Sequence, residues 1–225
     1  MSFQNHEPFA QITGPAAASF GIYQNWLKRP VDLALIVFAI PVLLPLAILI
    51  GCLIRSDGGP ALYSQLRIGR GGRAFRCWKF RTMVMGADTQ LARLLADDPA
   101  LAREWQRSQK LRHDPRITRL GRFLRRSSLD ELPQLWNVLR GDMSLIGPRP
   151  FLPNQRDLYD RHRQTVGYYH LRPGLTGLWQ VSDRNLCGFE GRVAYDDVYY
   201  RKISPAHDLH ILLKTFRAIS GGTGT

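Results

Sequence analysis

The stretch VDLALIVFAIPVLLPLAILIGCLI, from Val31 to Ile54, decides how this chain folds and where it resides. Its only charged residue is Asp32, at the second position. As a straight helix it rises about 36 Å, against a bilayer hydrocarbon core about 30 Å thick. A soluble core helix is seldom apolar on every face over such a length, so the stretch reads as a membrane segment. It is longer than the h-region of a signal peptide and ends in Cys52-Leu53-Ile54-Arg55 rather than in small residues, which argues against cleavage. Pro41 and Pro45 stand near its middle, and each removes a backbone donor and crowds the carbonyl four residues back. A sharp break is expected there.

The flanks bear on topology. Lys28 and Arg29 precede the segment, and Arg55, Arg67, Arg70, Arg73, Arg76, Lys79 and Arg81 follow it. Positive charge is retained on the cytoplasmic side. A helix that enters, breaks at Pro41 and Pro45 and returns keeps both basic flanks inside. A kinked single span, with the N-terminus outside, satisfies only the stronger downstream flank. The re-entrant form is the better fit, and in both forms the polar remainder faces the cytoplasm. Pro30 suits helix position N1, and Asp32 suits the positive end of the helix dipole. Residues 1–25, rich in Ala, Gln, Gly and Ser, read as a disordered tail. Residues 26–55 then form the membrane helix and 56–225 one cytoplasmic-face domain.

Composition narrows the rest. In 225 residues, 31 Lys and Arg face 18 Asp and Glu, a formal net charge of +13. With 44% hydrophobic residues this is no disordered chain, miniprotein, collagen or polytopic transporter. Cys52, Cys77 and Cys187 offer neither a disulfide framework nor metal spacing, which fits a reducing compartment. The charge calls for anionic partners: nucleic acid, lipid head groups or phosphorylated substrates. Much of it lies in Arg103, Arg107, Lys110, Arg112, Arg116, Arg119, Arg122, Arg125 and Arg126, opposed by Glu104 and Asp114. Arg116, Arg119 and Arg122, interleaved with Ile117, Leu120 and Leu124, make a basic amphipathic helix suited to a head-group layer. Nucleic acid is disfavoured, since no zinc finger, RNA-recognition signature or basic heptad accompanies the arginines.

Along the chain, residues 61–65 and 74–80 read as strands of a hairpin around Gly69-Arg70-Gly71-Gly72. Residues 86–111 read as one helix. Helical periodicity runs through Ile117, Leu120, Leu124, Leu129, Leu132, Trp136 and Leu139 until Gly141. A helix at 155–167, a loop at 172–174, a strand at 178–181 and an amphipathic helix at 207–219 follow. His207 and His210 lack further ligands and read as helix surface. Tyr195, Tyr199 and Tyr200 read as core or interface. The fold class is α+β, mainly helical.

The chemical candidate is Ser127-Ser128-Leu129-Asp130-Glu131-Leu132-Pro133-Gln134. Two adjacent carboxylates behind a block of arginines can serve phosphoryl transfer, with a carboxylate as nucleophile and cations on the phosphate oxygens. The same residues admit structural readings. Ser128 and Glu131 have capping-box spacing, and Asp130 could itself cap a helix that has Pro133 in its first turn.

The order of motifs goes further. Lys28-Arg29-Pro30-Val31-Asp32, the proline-containing apolar helix, Lys79-Phe80-Arg81-Thr82-Met83, Ser128 to Gln134, Asn137 to Ser144, Gly147-Pro148-Arg149-Pro150 and Arg172 to Gly177 follow one another. This series resembles the bacterial sugar transferases, the monotopic phosphoglycosyl transferases, over residues 28 to 217. The resemblance implies transfer of a sugar-1-phosphate from a UDP-sugar to polyprenyl phosphate, with Mg2+, at the cytoplasmic face of the bacterial inner membrane. UMP is released and a surface glycan begins. Similarity is nearest to exopolysaccharide-initiating hexose transferases, with galactose or glucose as the sugar. Carried over by motif, Asp130 is the nucleophile, and Glu131 holds metal with it or takes the acceptor's proton. Arg125 and Arg149, with Lys79 and Arg81, serve the phosphates, and Pro41 and Pro45 make the membrane break. Leu44-Pro45 replaces the family's frequent Ser-Pro, and Asp183 stands where glycine is common. Anionic lipids are expected partners, and homo-oligomerisation is open. A non-catalytic basic module docked on the membrane, and a UDP-sugar hydrolase, are the competing readings.

Overall fold

The computed structural model describes residues 21–108, 111–162, 167–182 and 189–220. Most of the expected tail, and the sequence-stretch assignments at Lys110, Asp183 and Cys187, therefore lie outside the described residues. After a π-helical turn at Tyr23–Leu27, the apolar stretch forms one helix, α1, Lys28–Arg55. The expected helix–break–helix gives way to a continuous helix with Pro41 and Pro45 inside it. Proline holds φ near the helical value, so it deletes a hydrogen bond without requiring non-helical backbone. Among the described residues this is the one helix long and apolar enough to cross a membrane.

Both ends of α1 are docked on the polar remainder. At its start Lys28 Nζ lies 2.5 Å from Asp208 Oδ2, and Ser144 Oγ donates to Asp32 at 2.6 Å. Arg29 donates to the carbonyls of Val138 and Leu139, and Ile36 packs with Cys77, Val138 and Met143. At its end Ile50 and Ile54 pack with Phe80 and Leu124. Between these contacts, Val37, Phe38 and Val42 are 61%, 84% and 71% exposed.

The expected hairpin is present as β1 (Leu62–Ile68) and β2 (Ala74–Phe80), antiparallel, with Leu62 opposite Phe80 and Ile68 opposite Ala74. The expected helix 86–111 is instead α2 (Ala87–Asp97) and α3 (Pro99–Ser108). Proline drives the preceding residue out of the helical region, and Asp98 is extended at φ −128° and ψ 105°. Its carboxylate then caps α3, accepting from the N–H of Ala100 at 2.7 Å. The next helix, α4, covers only Arg119–Arg126, capped by Thr118. Arg116 therefore precedes it and is buried against Asp114 at 2.6 Å rather than facing head groups. Arg119, Arg122 and Phe123 do form an exposed basic face with an apolar anchor.

Then come α5 (Gln134–Arg140), β3 (Ser144–Ile146), α6 (Arg156–His162) and α7 (Gly167–His170). The chain continues with β4 (Gly174–Thr176), α8 (Leu178–Val181), α9 (Phe189–Lys202) and α10 (Pro205–Ser220). The strand expected at 178–181 is thus a helical turn, and the strand lies just before it, parallel to β3. That pairing draws two glycine motifs into close contact. A Cβ on Gly174 would lie 2.1 Å from the nitrogen of Gly147, so only glycine permits this approach. The main aromatic core joins Phe151, Tyr159 and Tyr168 with Ile68 and Val193. Tyr199 is buried, as expected of a core residue, and bonds Asp208 at 2.7 Å.

One buried amide joins the helices to the hairpin. Asn137 Oδ1 accepts from the N–H of Trp78 at 3.0 Å, and its Nδ2 donates to the carbonyl of Arg76 at 2.7 Å. The side chain thus pairs the open edge of β2 as another strand would. Asn137→Leu should leave both β2 groups without partners and lower stability by on the order of 3 kcal/mol. Chemical denaturation in detergent measures this.

Candidate active site

Asp130 and Glu131 lie in a 3-10 turn, Leu129–Glu131, between α4 and α5. Ser128 enters this turn at φ 57°, ψ 15°, the one positive-φ residue other than glycine among those described. That left-handed conformation costs about 1 kcal/mol or more, and it turns the chain so that both carboxylates face inward. The capping readings fail. Ser128 makes no capping hydrogen bond, and Pro133, not Asp130, occupies the N-cap of α5.

Cations from two other elements meet the pair. Lys79, near the end of β2, places Nζ 2.6 Å from Glu131 Oε1 and 3.5 Å from Asp130 Oδ2. Arg149, after β3, places Nη2 3.1 Å from the same Glu131 oxygen. Arg125, on α4, points its Nε at Thr82 Oγ1, 2.9 Å away, and its charge reaches Asp130. Five of the residues expected at the site, Lys79, Arg125 and Arg149 together with Asp130 and Glu131, are therefore brought together. Arg81 does not. It clamps the turn after α1, binding Asp57 Oδ2 at 2.9 Å and the carbonyls of Pro60 and Ile54 at 2.7 and 3.1 Å. Strand alternation alone would put residues 79 and 81 on one face, but β2 ends at Phe80, so Arg81 lies beyond the pleat and is free to turn to Asp57.

The two carboxylates have opposite electrostatics. Burial raises the pKa of Asp130, Glu131 raises it further, and Lys79 and Arg125 only partly offset this. Burial also opposes ionisation of Glu131, but Arg149 and Lys79 outweigh it and hold the group at about 2. Glu131 is thus a fixed anion, while Asp130 is a less stabilised and more basic carboxylate. Asp130 Oδ1 and Glu131 Oε2 accept no hydrogen bond from the described residues, which leaves both able to ligate a cation. No group of three or more His, Cys, Asp or Glu gathers among those residues. A metal would rest on this pair and on substrate oxygens, a donor set that suits Mg2+. Sequence reasoning passed over Thr82 and Ser128 as working parts. Their signal was only their place inside the quoted motifs. His207 is half-buried against the Tyr199 ring, and burial lowers its pKa.

An α+β domain with one long apolar helix and a carboxylate pair enclosed by cations is the class these features define. The model of the bacterial sugar transferase family matches residues 23–222, and the chain belongs to that family. It is 45% identical over 196 residues to the undecaprenyl-phosphate galactose phosphotransferase of Salmonella typhimurium, covering 87% of this chain and 40% of that protein. It is 43% identical over 199 residues to the exopolysaccharide production protein ExoY of Sinorhizobium fredii, covering 88% of this chain and 87% of that protein. With the UDP-glucose:undecaprenyl-phosphate glucose-1-phosphate transferase of Caulobacter vibrioides it shares 41% identity over 197 residues, 84% of this chain and 67% of that one. The chain thus spans well under half the length of the Salmonella relative and most of ExoY.

The dyad yields mutations of opposite sign. The folded state holds the Asp130 proton more tightly than the unfolded chain does, so ionisation costs stability as pH rises through the raised pKa. Asp130→Asn should therefore melt higher than the parent at about pH 7.5, with the gap closing near pH 4. The low pKa of Glu131 contributes stability above about pH 4.5 that is lost as pH falls towards 2. Glu131→Gln strands two cations and should cost on the order of 3 kcal/mol at neutral pH. Thermal unfolding of both variants against pH checks the two signs.

Proposed function

We propose that this chain is a phosphoglycosyl transferase that moves a hexose-1-phosphate from a UDP-sugar to undecaprenyl phosphate. The observation that carries this is the buried Asp130–Glu131 pair, with Glu131 locked by Lys79 and Arg149. The names of the relatives, which include galactose and glucose transfer to undecaprenyl phosphate, support the substrate class. Galactose or glucose is the sugar proposed, and initiation of exopolysaccharide or another surface glycan is the role.

In the first step an Asp130 carboxylate oxygen attacks the sugar-bearing phosphorus. The bond to the bridging oxygen breaks, and UMP departs with that electron pair. In the second step an oxygen of the lipid phosphate attacks the same phosphorus, and Asp130 leaves as a carboxylate again. Glu131 is too well stabilised as an anion to take a proton near neutral pH, so its role is to fix Lys79 and Arg149 against the phosphates. Asp130 and Glu131 would hold Mg2+, which when bound would supply charge neutralisation at the diphosphate. Arg149 and Lys79 lower repulsion between the carboxylate and an anionic substrate, the usual need in phosphoryl transfer.

The membrane placement proposed is re-entrant, on the cytoplasmic face of the inner membrane. Both ends of α1 pack on one polar domain, through Lys28 and Asp32 at one end and Ile50 and Ile54 at the other. A helix of 28 residues rises about 42 Å when straight, and a single span places its two ends on opposite sides of the bilayer. A domain that meets both ends supports keeping both on one side.

Wild-type protein in nanodiscs with UDP-galactose or UDP-glucose, undecaprenyl phosphate and Mg2+ should release UMP, and Asp130→Asn should reduce this at least 1,000-fold, roughly the scale of losing an essential nucleophile. Near-normal turnover in that variant overturns the mechanism, and free sugar phosphate without lipid acceptor would mark a hydrolase. A cysteine replacing Asn5 should react with an impermeant maleimide only from the cytoplasmic side. Modification from the periplasm would refute the re-entrant placement.

A further inference from the structure

Close to Arg149 lie two guanidinium side chains, Arg67 and Arg192, that the mechanism above does not use. Arg67, near the end of β1, donates from Nη1 to the carbonyl of Pro150 at 3.5 Å and from Nη2 to Gln65 Oε1 at 2.7 Å. The next residue, Ile68, donates its N–H to the carbonyl of Phe151 at 2.9 Å, which lays Arg149-Pro150-Phe151 along the end of β1. Arg149, at the head of that tripeptide, reaches Glu131. Arg192, from α9, covers its other end, with Cζ 5.7 Å from the Phe151 ring centroid. Two arginines from other parts of the chain, Arg67 and Arg192, thus flank a tripeptide that begins with a third.

Their partners do not balance them. Glu131 serves Arg149 but is shared with Lys79. Arg192 is 5% exposed, its Nε stands 3.6 Å from Asp196 Oδ2, and its buried Nε and Nη2 make no hydrogen bond. Asp196 carries less charge than its type suggests, because burial raises its pKa to about 7. Arg67 has two neutral acceptors and, among the described residues, no carboxylate within ion-pair distance. Burial, then repulsion from Arg149 and Arg192, disfavours its charged form. Arginine nonetheless stays protonated at neutral pH, so the repulsion persists until an anion relieves it.

We propose that Arg67 is a binding residue for the second phosphate of a nucleoside diphosphate sugar, the one that leaves with the nucleotide. This rests on the function proposed above. Arg149 links the two positions: its guanidinium reaches Glu131, and the carbonyl of the next residue, Pro150, receives Arg67, which Gln65 also holds. A guanidinium fork suits a phosphate's paired oxygens, and Gln65 orients this fork before substrate arrives. Arg192 is too enclosed to touch a ligand and acts through its charge, as a positioning residue. A lipid phosphate offers the same chemistry, so the test separates the two sources.

The full chain in nanodiscs, carrying Asp130→Asn to prevent turnover, is titrated with inorganic pyrophosphate, UMP or farnesyl phosphate. Adding Arg67→Gln should weaken pyrophosphate and UMP about tenfold or more and farnesyl phosphate less than about twofold, the scale of one charge-assisted contact. In protein with Arg67 intact, pyrophosphate should shield Arg67, but not exposed Arg119, from phenylglyoxal, read by peptide mass spectrometry. That reading stands even if Arg67→Gln does not fold. Unchanged affinities, absence of shielding, or shielding by farnesyl phosphate alone would overturn the assignment. Absence of UMP release by the wild type would refute the transferase reading, while pyrophosphate binding would still report on Arg67.

Discussion

A single carboxylate oxygen, Glu131 Oε1, receives both Lys79 and Arg149, at 2.6 and 3.1 Å. One cation comes from the hairpin and the other from the loop after β3, so this junction joins three parts of the chain at the dyad. Buried ion pairs seldom add net stability, because desolvation offsets much of the attraction. What this one fixes is position and charge. Glu131 is held as an anion, and Lys79 is drawn nearer to it than to Asp130, whose nearest cation is 3.5 Å away. Two adjacent carboxylates are thereby driven apart in basicity, the pattern by which one site assigns two roles to one chemical group. The locked carboxylate holds the cations, and Asp130 is left the more basic of the two.

The same logic governs how the apolar helix is attached. Lys28 and Asp32 would be costly in hydrocarbon, yet each is buried against a polar partner, Asp208 and Ser144. Asp208 also accepts from Tyr199, so one carboxylate gathers α1, α9 and α10. Ser144 belongs to β3, a few residues before Arg149. The apolar helix and the loop that carries Arg149 are thus positioned by one short strand. On α10, Leu209, Leu213 and Phe216 are 56%, 54% and 62% exposed at helical spacing, a second exposed apolar face in addition to Phe123 on α4.

What was legible in the sequence was what repeats or what is extreme. Twenty-four residues with one charge announced α1, and turn glycines between alternating residues announced the hairpin. The Asp-Glu pair was legible as chemistry because arginines preceded it. Position was not legible. Lys79 and Arg81 look equivalent in sequence, yet one binds the dyad and the other the turn after α1. Arg116 fits an amphipathic pattern that the helix, starting at Arg119, never includes. The break at Asp98-Pro99 carried a signal, an N-cap before a proline, that the reading of 86–111 as one helix passed over. The parallel pairing of β3 with β4 joins segments thirty residues apart, each only three residues long, and leaves no local pattern.

That pairing explains why two glycine-containing motifs so far apart accompany the dyad. Arg149 can reach Glu131 only if the chain after β3 turns tightly beneath the site. Gly147 and Gly174 approach so closely that a Cβ on Gly147 would lie 2.5 Å from the carbonyl oxygen of Arg172. Gly174 in turn donates its N–H to the carbonyl of Pro148 at 2.8 Å, one residue before Arg149. The backbone leading to Arg149 is therefore fixed by a strand contact that side chains larger than hydrogen would prevent. The arginine supplies charge to the dyad, but the glycines determine where that charge stands. A site built on adjacent carboxylates thus depends on backbone contacts more than on the carboxylates themselves, because an anion with misplaced cations would only repel a phosphate.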